Sequence, residues 1–392
     1  MPIKVSTIDS KDHLFGLDML RLLAACLVVF DHLGVFSAAR PDVGIPFAFP
    51  YLNFFDRFGW VGVQIFFVIS GFVIALSAKD ETAVRFAKRR IVRLWPALFV
   101  CSVIGAFALW VVNTPIHEIV GSFARSITMF PAGPYVDGVI WSLIVEAVFY
   151  LLITLVLLIG QFHNLDRVAT ALGCLSAGFL SLFVLLLLFD PGVDRHTVFA
   201  LFERFIFRFT LLRVGVFFSL GMTLWLSFEY GFTRTRMLLS AIWACFGIVE
   251  IAIHAASDSA LATFVFPMPL VEAILIPALL WMCAIGVFLV SVFFRSEIGA
   301  AVNSRLVKKL GLLTYALYLN HYTIGRVFVF ELVSAQIPTT VVLALALILI
   351  FGSSWLIVSG PEPAIQRGLR KVLNLNVPDR KQRHGRQIPL SI

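Results

Sequence analysis

Gly16-Leu-Asp-Met-Leu-Arg21-Leu-Leu-Ala-Ala-Cys26-Leu-Val-Val-Phe-Asp31-His32 is the first long apolar run of the chain, and its reading decides the fold. Eleven residues separate Arg21 from His32. At ~100° and ~1.5 Å per residue that is three turns plus ~20°, so both project from one helix face, ~16 Å apart along the axis. Ionisable groups inside a hydrocarbon-spanning helix are costly, and by default they mark a pathway or a reaction centre. The stretch points to chemistry conducted through a membrane.

Composition agrees. Of the 392 residues, 60% are hydrophobic and only 14% charged, with a mean hydropathy of +0.94, whereas soluble domains are roughly half apolar. The expected class is an all-α, polytopic membrane protein. The 39 phenylalanines suit lipid-facing helices. The net charge of +8 is no nucleic-acid signal, because the basic residues sit in short loops between apolar runs. The lipid bilayer is the expected partner, and nucleic acid is not. Cys26, Cys101, Cys174, Cys245 and Cys283 all fall inside apolar runs without metal-ligand spacing, so they read as small core residues, and no metal is indicated. Lys4, Asp9, Lys11, Asp12 and His13 lead into an apolar run too long for a signal-peptide core, so no cleaved leader is expected.

A membrane helix needs ~20 mainly apolar residues. Ten spans are predicted: 17–36, 60–78, 94–113, 139–160, 171–189, 209–228, 238–256, 271–294, 310–332 and 340–359. Pro115, Pro131, Pro134, Pro191, Pro267, Pro269 and Pro338 fall between spans, and Pro96 suits the first turn of the third. With the N-terminus in the cytoplasm, 22 Lys and Arg lie inside and 6 outside, which places both termini in the cytoplasm. No loop is long enough for a soluble domain, so residues 1–374 are expected to form one membrane-embedded domain. Residues 375–392 form a basic tail, expected to be disordered. No internal repeat suggests a duplicated transporter fold.

Five clusters carry polar chemistry. In the first, His32 lies near the outer end of its helix and suits proton transfer near neutrality; its ordinary alternative is a packing histidine bonded to a carbonyl. Arg21, at the inner end, reads either as part of a site or as an ion-pair partner of Asp18. In the second, Lys88-Arg89-Arg90-Ile-Val-Arg93-Leu-Trp-Pro96, a helical start gives Arg89, Arg90 and Arg93 one positive edge able to fork phosphate oxygens. The same residues would serve as an anchor against anionic lipid heads. In the third, Phe66-Phe-Val-Ile-Ser70-Gly71-Phe72, a small pair admits a thin ligand or a neighbouring helix. In the fourth, Trp141-Ser142-Leu-Ile-Val-Glu146, Ser142 and Glu146 share a face, and Glu146 lies at a depth similar to His32. A carboxylate there needs a partner or a proton, and orienting a histidine is a recurring use. In the fifth, Tyr315-Ala-Leu-Tyr318-Leu-Asn-His321-Tyr322, Tyr318 and His321 are neighbours on one face near mid-membrane, as a site or as polar packing. Glu250, Glu272, Arg213 and Arg326 lie in or near spans without an assignable role.

Together and in this order, these motifs resemble the acyltransferase-3 family of bacterial membrane acyltransferases, over roughly residues 14–358. The likeness is weakest over 160–300, where acceptor specificity would reside. Members of that family modify surface polysaccharides such as O-antigen, exopolysaccharide, peptidoglycan or Nod factor, usually by O-acetylation, and related members acylate macrolides. The resemblance implies a multi-pass protein of the bacterial inner membrane, with acyl-CoA, most often acetyl-CoA, as cytoplasmic donor and no permanently bound cofactor. The acceptor would be a carbohydrate or lipid-linked glycan. Some members carry an extracytoplasmic hydrolase-like domain. The expectation here is a standalone member, acting alone or with an extracytoplasmic partner enzyme.

On this resemblance Arg89, Arg90 and Arg93 hold the nucleotide phosphates. The pantetheine arm passes Arg21 and the Ser70-Gly71 gap, His32 is general base, and Glu146 orients it. Trp141, Ser142, Tyr318 and His321 are further candidates, and an acyl-histidine intermediate is a variant. The rival class is a proton-coupled transporter or flippase for a lipid-linked glycan or small metabolite, with His32, Glu146 and His321 as a proton relay.

Overall fold

The computed structural model describes residues 14–38, 49–52, 54–189, 194–261 and 269–375, and every regular element among them is helical. In chain order the helices are α1 (Phe15–Ala38), α2 (Phe55–Phe58), α3 (Val61–Ala78), α4 (Ala83–Val111), α5 (Ile116–Ile127), α6 (Ile140–Leu158), α7 (Leu165–Phe189) and α8 (Arg195–Phe202). They continue as α9 (Phe205–Phe209), α10 (Gly215–Tyr230), α11 (Arg234–Leu261), α12 (Leu270–Phe293) and α13 (Arg295–Ala301). The last are α14 (Ser304–Asn320), α15 (Tyr322–Ser334), α16 (Thr339–Ser359) and α17 (Pro361–Val372).

Among the described residues, seven helices are long and apolar enough to cross a membrane: α3, α4, α6, α7, α11, α12 and α16, the last running on into α17. The protein is an all-α, polytopic membrane protein. Three of the ten predicted spans fall outside this group: α1 carries Asp18, Arg21 and Asp31, while α10 and α14 have only 16 and 17 residues. Lys4, Lys11 and residues 376–392, on which the predicted orientation and tail rest in part, lie outside the described residues.

Helix α10 is the central element. Every side chain from Gly215 to Glu229 is buried, and it packs against α3, α7 and α11. Small residues allow this approach, as expected where packing rather than hydrophobicity joins helices. A Cβ on Gly71 would strike the Phe218 carbonyl, and one on Gly221 would strike the Val68 carbonyl. Gly71 therefore serves the α3–α10 contact, the neighbouring-helix alternative for this pair, while Ser70 lines the cavity described below. Because the obstacles are backbone atoms, Gly221→Val is expected to cost at least ~1–3 kcal/mol, read as a lower thermal midpoint of the detergent-solubilised protein.

Three further expectations change. Helix α4 begins at Ala83, capped by Thr82, whose Oγ1 accepts from Arg85 N at 3.4 Å. Pro96 is therefore interior to the helix, and the basic cluster rides on it. The predicted ninth span is broken at His321 into α14 and α15. Finally, the five cysteines are free, but Cys174, Cys245 and Cys283 are exposed on helix faces, so only Cys101 is a buried core residue. Of the prolines expected between spans, Pro115, Pro269 and Pro338 sit at the N-caps of α5, α12 and α16.

Candidate active site

A cavity of about 610 Å³ runs between α1, α3, α4, α6 and α14, within the size range of ligand sites. Its lining on α3 extends from Val63 to Ser77, a rise of ~21 Å along a helix. Arg21, Ser70, Arg90, Arg93, Ser142, Glu146 and Tyr318 all line it. Residues from five separate sequence motifs thus share one space.

The cavity has a polarity. At the Ser77 end, Arg90 donates to Ser77 and lies over the Tyr150 ring. Arg21 pairs with Asp18 at 3.8 Å, and Asp18 packs against Gly311. Arg93 and Lys308, both exposed, complete a group of four cations. Midway, Glu146 accepts from Ser70 Oγ at 2.9 Å and from Tyr150 OH at 2.8 Å. At the far end, Ser142 Oγ and Tyr318 OH are 2.7 Å apart, with Phe66 edge-on to the Tyr318 ring.

The histidines lie just beyond Tyr318. His32 Nδ1 is 2.8 Å from His321 Nε2. His321 is fully buried and His32 half-buried. The His321 Nδ1 atom lies 2.8 Å from the Tyr318 carbonyl and 3.2 Å from that of Leu317. A carbonyl only accepts, so this nitrogen donates. In a neutral ring the other nitrogen then accepts, which makes His32 Nδ1 the donor to His321 Nε2. With Nδ1 donating, a neutral His32 carries its basic lone pair on Nε2, and the ring also has the Val28 backbone as a hydrogen-bond partner.

This geometry corrects the role expected of Glu146. Its hydrogen-bond partners are Ser70 and Tyr150, and the side chain within hydrogen-bond distance of His32 is that of His321. Arg89 also departs from its cluster. It pairs with Glu81 and lies outside the cavity lining, because a 100° step separates it from Arg90 on α4. Trp141 packs against Arg208 and Phe67, also outside the lining.

Two features escaped the sequence reading. Tyr150 and Lys308 line the cavity, yet nothing in their local spacing singles them out, and Tyr315, quoted in the fifth cluster without a role, lines it as well. The second is a buried ion network near the His32 end of α3. Arg213 Nε donates to Glu250 Oε1 at 2.7 Å, and Arg213 and Arg208 both hold Glu203. Gln64 donates to Glu250 at 3.4 Å, and Trp60 stacks on His254 at 4.2 Å. The donor atoms of Glu203, His254 and Asp258 lie within 4.8 Å of one another, a spacing that a cation could bridge. Within this trio Glu203 is held by Arg208 and Arg213, and His254 Nε2 lies 3.5 Å from Asp258 Oδ2.

The fold and the site define an integral-membrane helical bundle with a charged-to-polar cavity that ends at Tyr318, whose ring adjoins His321 of a histidine pair. Residues 14–359 match the family model of the acyltransferase domain, and the chain belongs to the acyltransferase-3 family. It is similar to nodulation protein 10 of Rhizobium leguminosarum bv. viciae, 32% identical over 171 residues, covering 38% of this chain and 45% of that one. It is also similar to the O-acetyl transferase of Shigella phage Sf6, 31% identical over 152 residues, covering 34% and 43%. The chain spans less than half the length of either relative. No solved structure matches it.

Proposed function

We propose that this protein is a membrane O-acyltransferase that carries an acyl group, acetyl first among candidates, from cytoplasmic acyl-CoA to a hydroxyl of a cell-surface or lipid-linked carbohydrate. It would work as a single domain over residues 1–374 in a bacterial inner membrane. The observation that carries this reading is the cavity's polarity: four cations at one end, and a path along α3 to a residue touching the histidine pair. A polyanionic nucleotide with a long thin thioester arm fits that order of groups.

In the reaction the acceptor hydroxyl gives its proton to His32 Nε2, and its oxygen attacks the thioester carbonyl carbon. The C–S bond breaks, the proton passes to the departing CoA thiolate, and an ester and a free thiol result. His321 holds the His32 ring through its Nε2. Ser142 Oγ donates to the Val139 carbonyl and Tyr318 OH to Ser142 Oγ, so this hydroxyl pair shapes the polar far end of the cavity. Glu146 keeps Ser70 and Tyr150 in place along the arm.

Loss of a charge-assisted hydrogen bond costs ~1.5–3 kcal/mol, so Arg90→Ala should raise KM for acetyl-CoA about 10- to 150-fold. It should leave KM for acetyl-pantetheine, which lacks the nucleotide, unchanged, and Arg89→Ala should change neither. The reading itself is tested by proton NMR of surface polysaccharide from cells with the native protein and from cells lacking it. An O-acyl resonance lost at constant polymer yield supports transfer. Unchanged acylation with less exported polymer favours the transporter class. No change in either removes surface glycans as the acceptor.

A further inference from the structure

The break between α14 and α15 places His321, and the segment Val136–Val139 holds that break. Helix α15 starts after His321, which provides no side-chain cap. The first N–H groups of a helix lack intrahelical partners, and an N-cap side chain normally accepts from the second or third of them. Here the acceptor comes from elsewhere in the chain. Asp137 Oδ2 accepts from Thr323 N at 3.0 Å, while its Oδ1 accepts from Val139 N at 3.1 Å. Thr323 Oγ1 donates back to the Val136 carbonyl at 2.7 Å. Between them, Gly138 lies so close to the Tyr322 ring that a Cβ would come within 2.8 Å of it. The Tyr322 ring in turn stands edge-on to His32, with centroids 4.8 Å apart. Asp137 is buried in the loop before α6, and burial pushes its carboxyl up to about 6.

From this arrangement we infer that Asp137 is a positioning residue for acyl transfer: by capping α15 from another segment, it holds His321, and through it the His32 ring, in register. The inference rests on the acyltransferase reading above. It differs from a purely structural cap because the helix capped at Thr323 begins at Tyr322, immediately after the residue that fixes the His32 tautomer. A loosened α15 start moves His321 Nε2 relative to His32 Nδ1, and positional errors of this size cost ~10²-fold in rate.

The test uses membranes from cells making the full chain, labelled acetyl-CoA, and alkali-labile acetyl incorporated into the membrane and glycan fraction, normalised to folded protein. Asp137→Asn keeps one carbonyl acceptor and the side-chain size. It should lower kcat about 10- to 100-fold, leave KM for acetyl-CoA within about twofold, and shift the acid limb of the pH–rate profile, because His32 loses a fixed acceptor. Thr323→Val, which removes only the hydroxyl, should retain most of the rate. A kcat per folded molecule equal to native in Asp137→Asn overturns the inference, whether or not protein abundance falls. A native protein that incorporates no label overturns the parent reading, and this inference with it.

Discussion

His32→Ala is expected to lower acyl transfer by about 10²- to 10⁴-fold, the range that a positioned general base contributes. Folded protein in the membrane should stay near native levels. The side chain is half-buried and bonded to the His321 ring and the Val28 backbone, neither of them charged, so its removal leaves no charge stranded. His321→Ala should cost less, because His32 Nε2 survives while only its orientation is lost. The readout is acetyl incorporation per folded molecule, alongside CoA thiol release. Near-normal transfer by His32→Ala, with Glu146→Gln inactive, would move the base to Glu146 and sink the assignment. The paired histidines matter here for a simple reason. An imidazole alone can present either nitrogen, and the His321–carbonyl bonds remove that freedom.

The largest expected effect on stability lies in the ion network. Arg213→Met would leave Glu250, fully buried, without its guanidinium, and Glu203 with Arg208 alone. Breaking one side of a buried pair costs ~3–5 kcal/mol, whereas replacing both by apolar groups is often neutral. Arg213→Met should therefore depress the thermal midpoint of the detergent-solubilised protein sharply and reduce its yield. Adding Glu250→Leu should recover a clear part of that loss. A double variant no more stable than the single one would show that the Arg213–Glu250 contact is not the source of the cost. The network ties α3 to α11 through Gln64, Glu250 and His254. Its failure should therefore reach the cavity wall formed by α3.

Much of the cavity lining was legible in the chain. Arg21, Ser70, Arg90, Arg93, Ser142, Glu146 and Tyr318 were singled out by charge or polarity within apolar runs, and they share one cavity. They were legible because a polar group in a spanning helix is costly wherever it sits. Periodicity placed Ser142 and Glu146 on one face, and both line the cavity. The identity of each partner was not legible. Glu146 looked like the group to orient His32 because both lay at one predicted depth. The actual partner of His32 is His321, 289 residues along the chain. Depth along a helix says nothing about which neighbour lies across it. The Arg213–Glu250 pair was visible only as two unassigned charges for the same reason.

By itself the sequence determined that the chain is helical and membrane-embedded, and which residues had to carry polar chemistry. Hydropathy and the 3.6-residue period act within one helix, over ~20 residues, so they can be read locally. Only the tertiary structure decided which helices adjoin: α3 against α10 through Gly71 and Gly221, α1 against α3 through Gly62 and Ala24, and α15 held by Asp137. Those choices depend on close packing of small residues and single buried hydrogen bonds from distant parts of the chain. No local pattern records them.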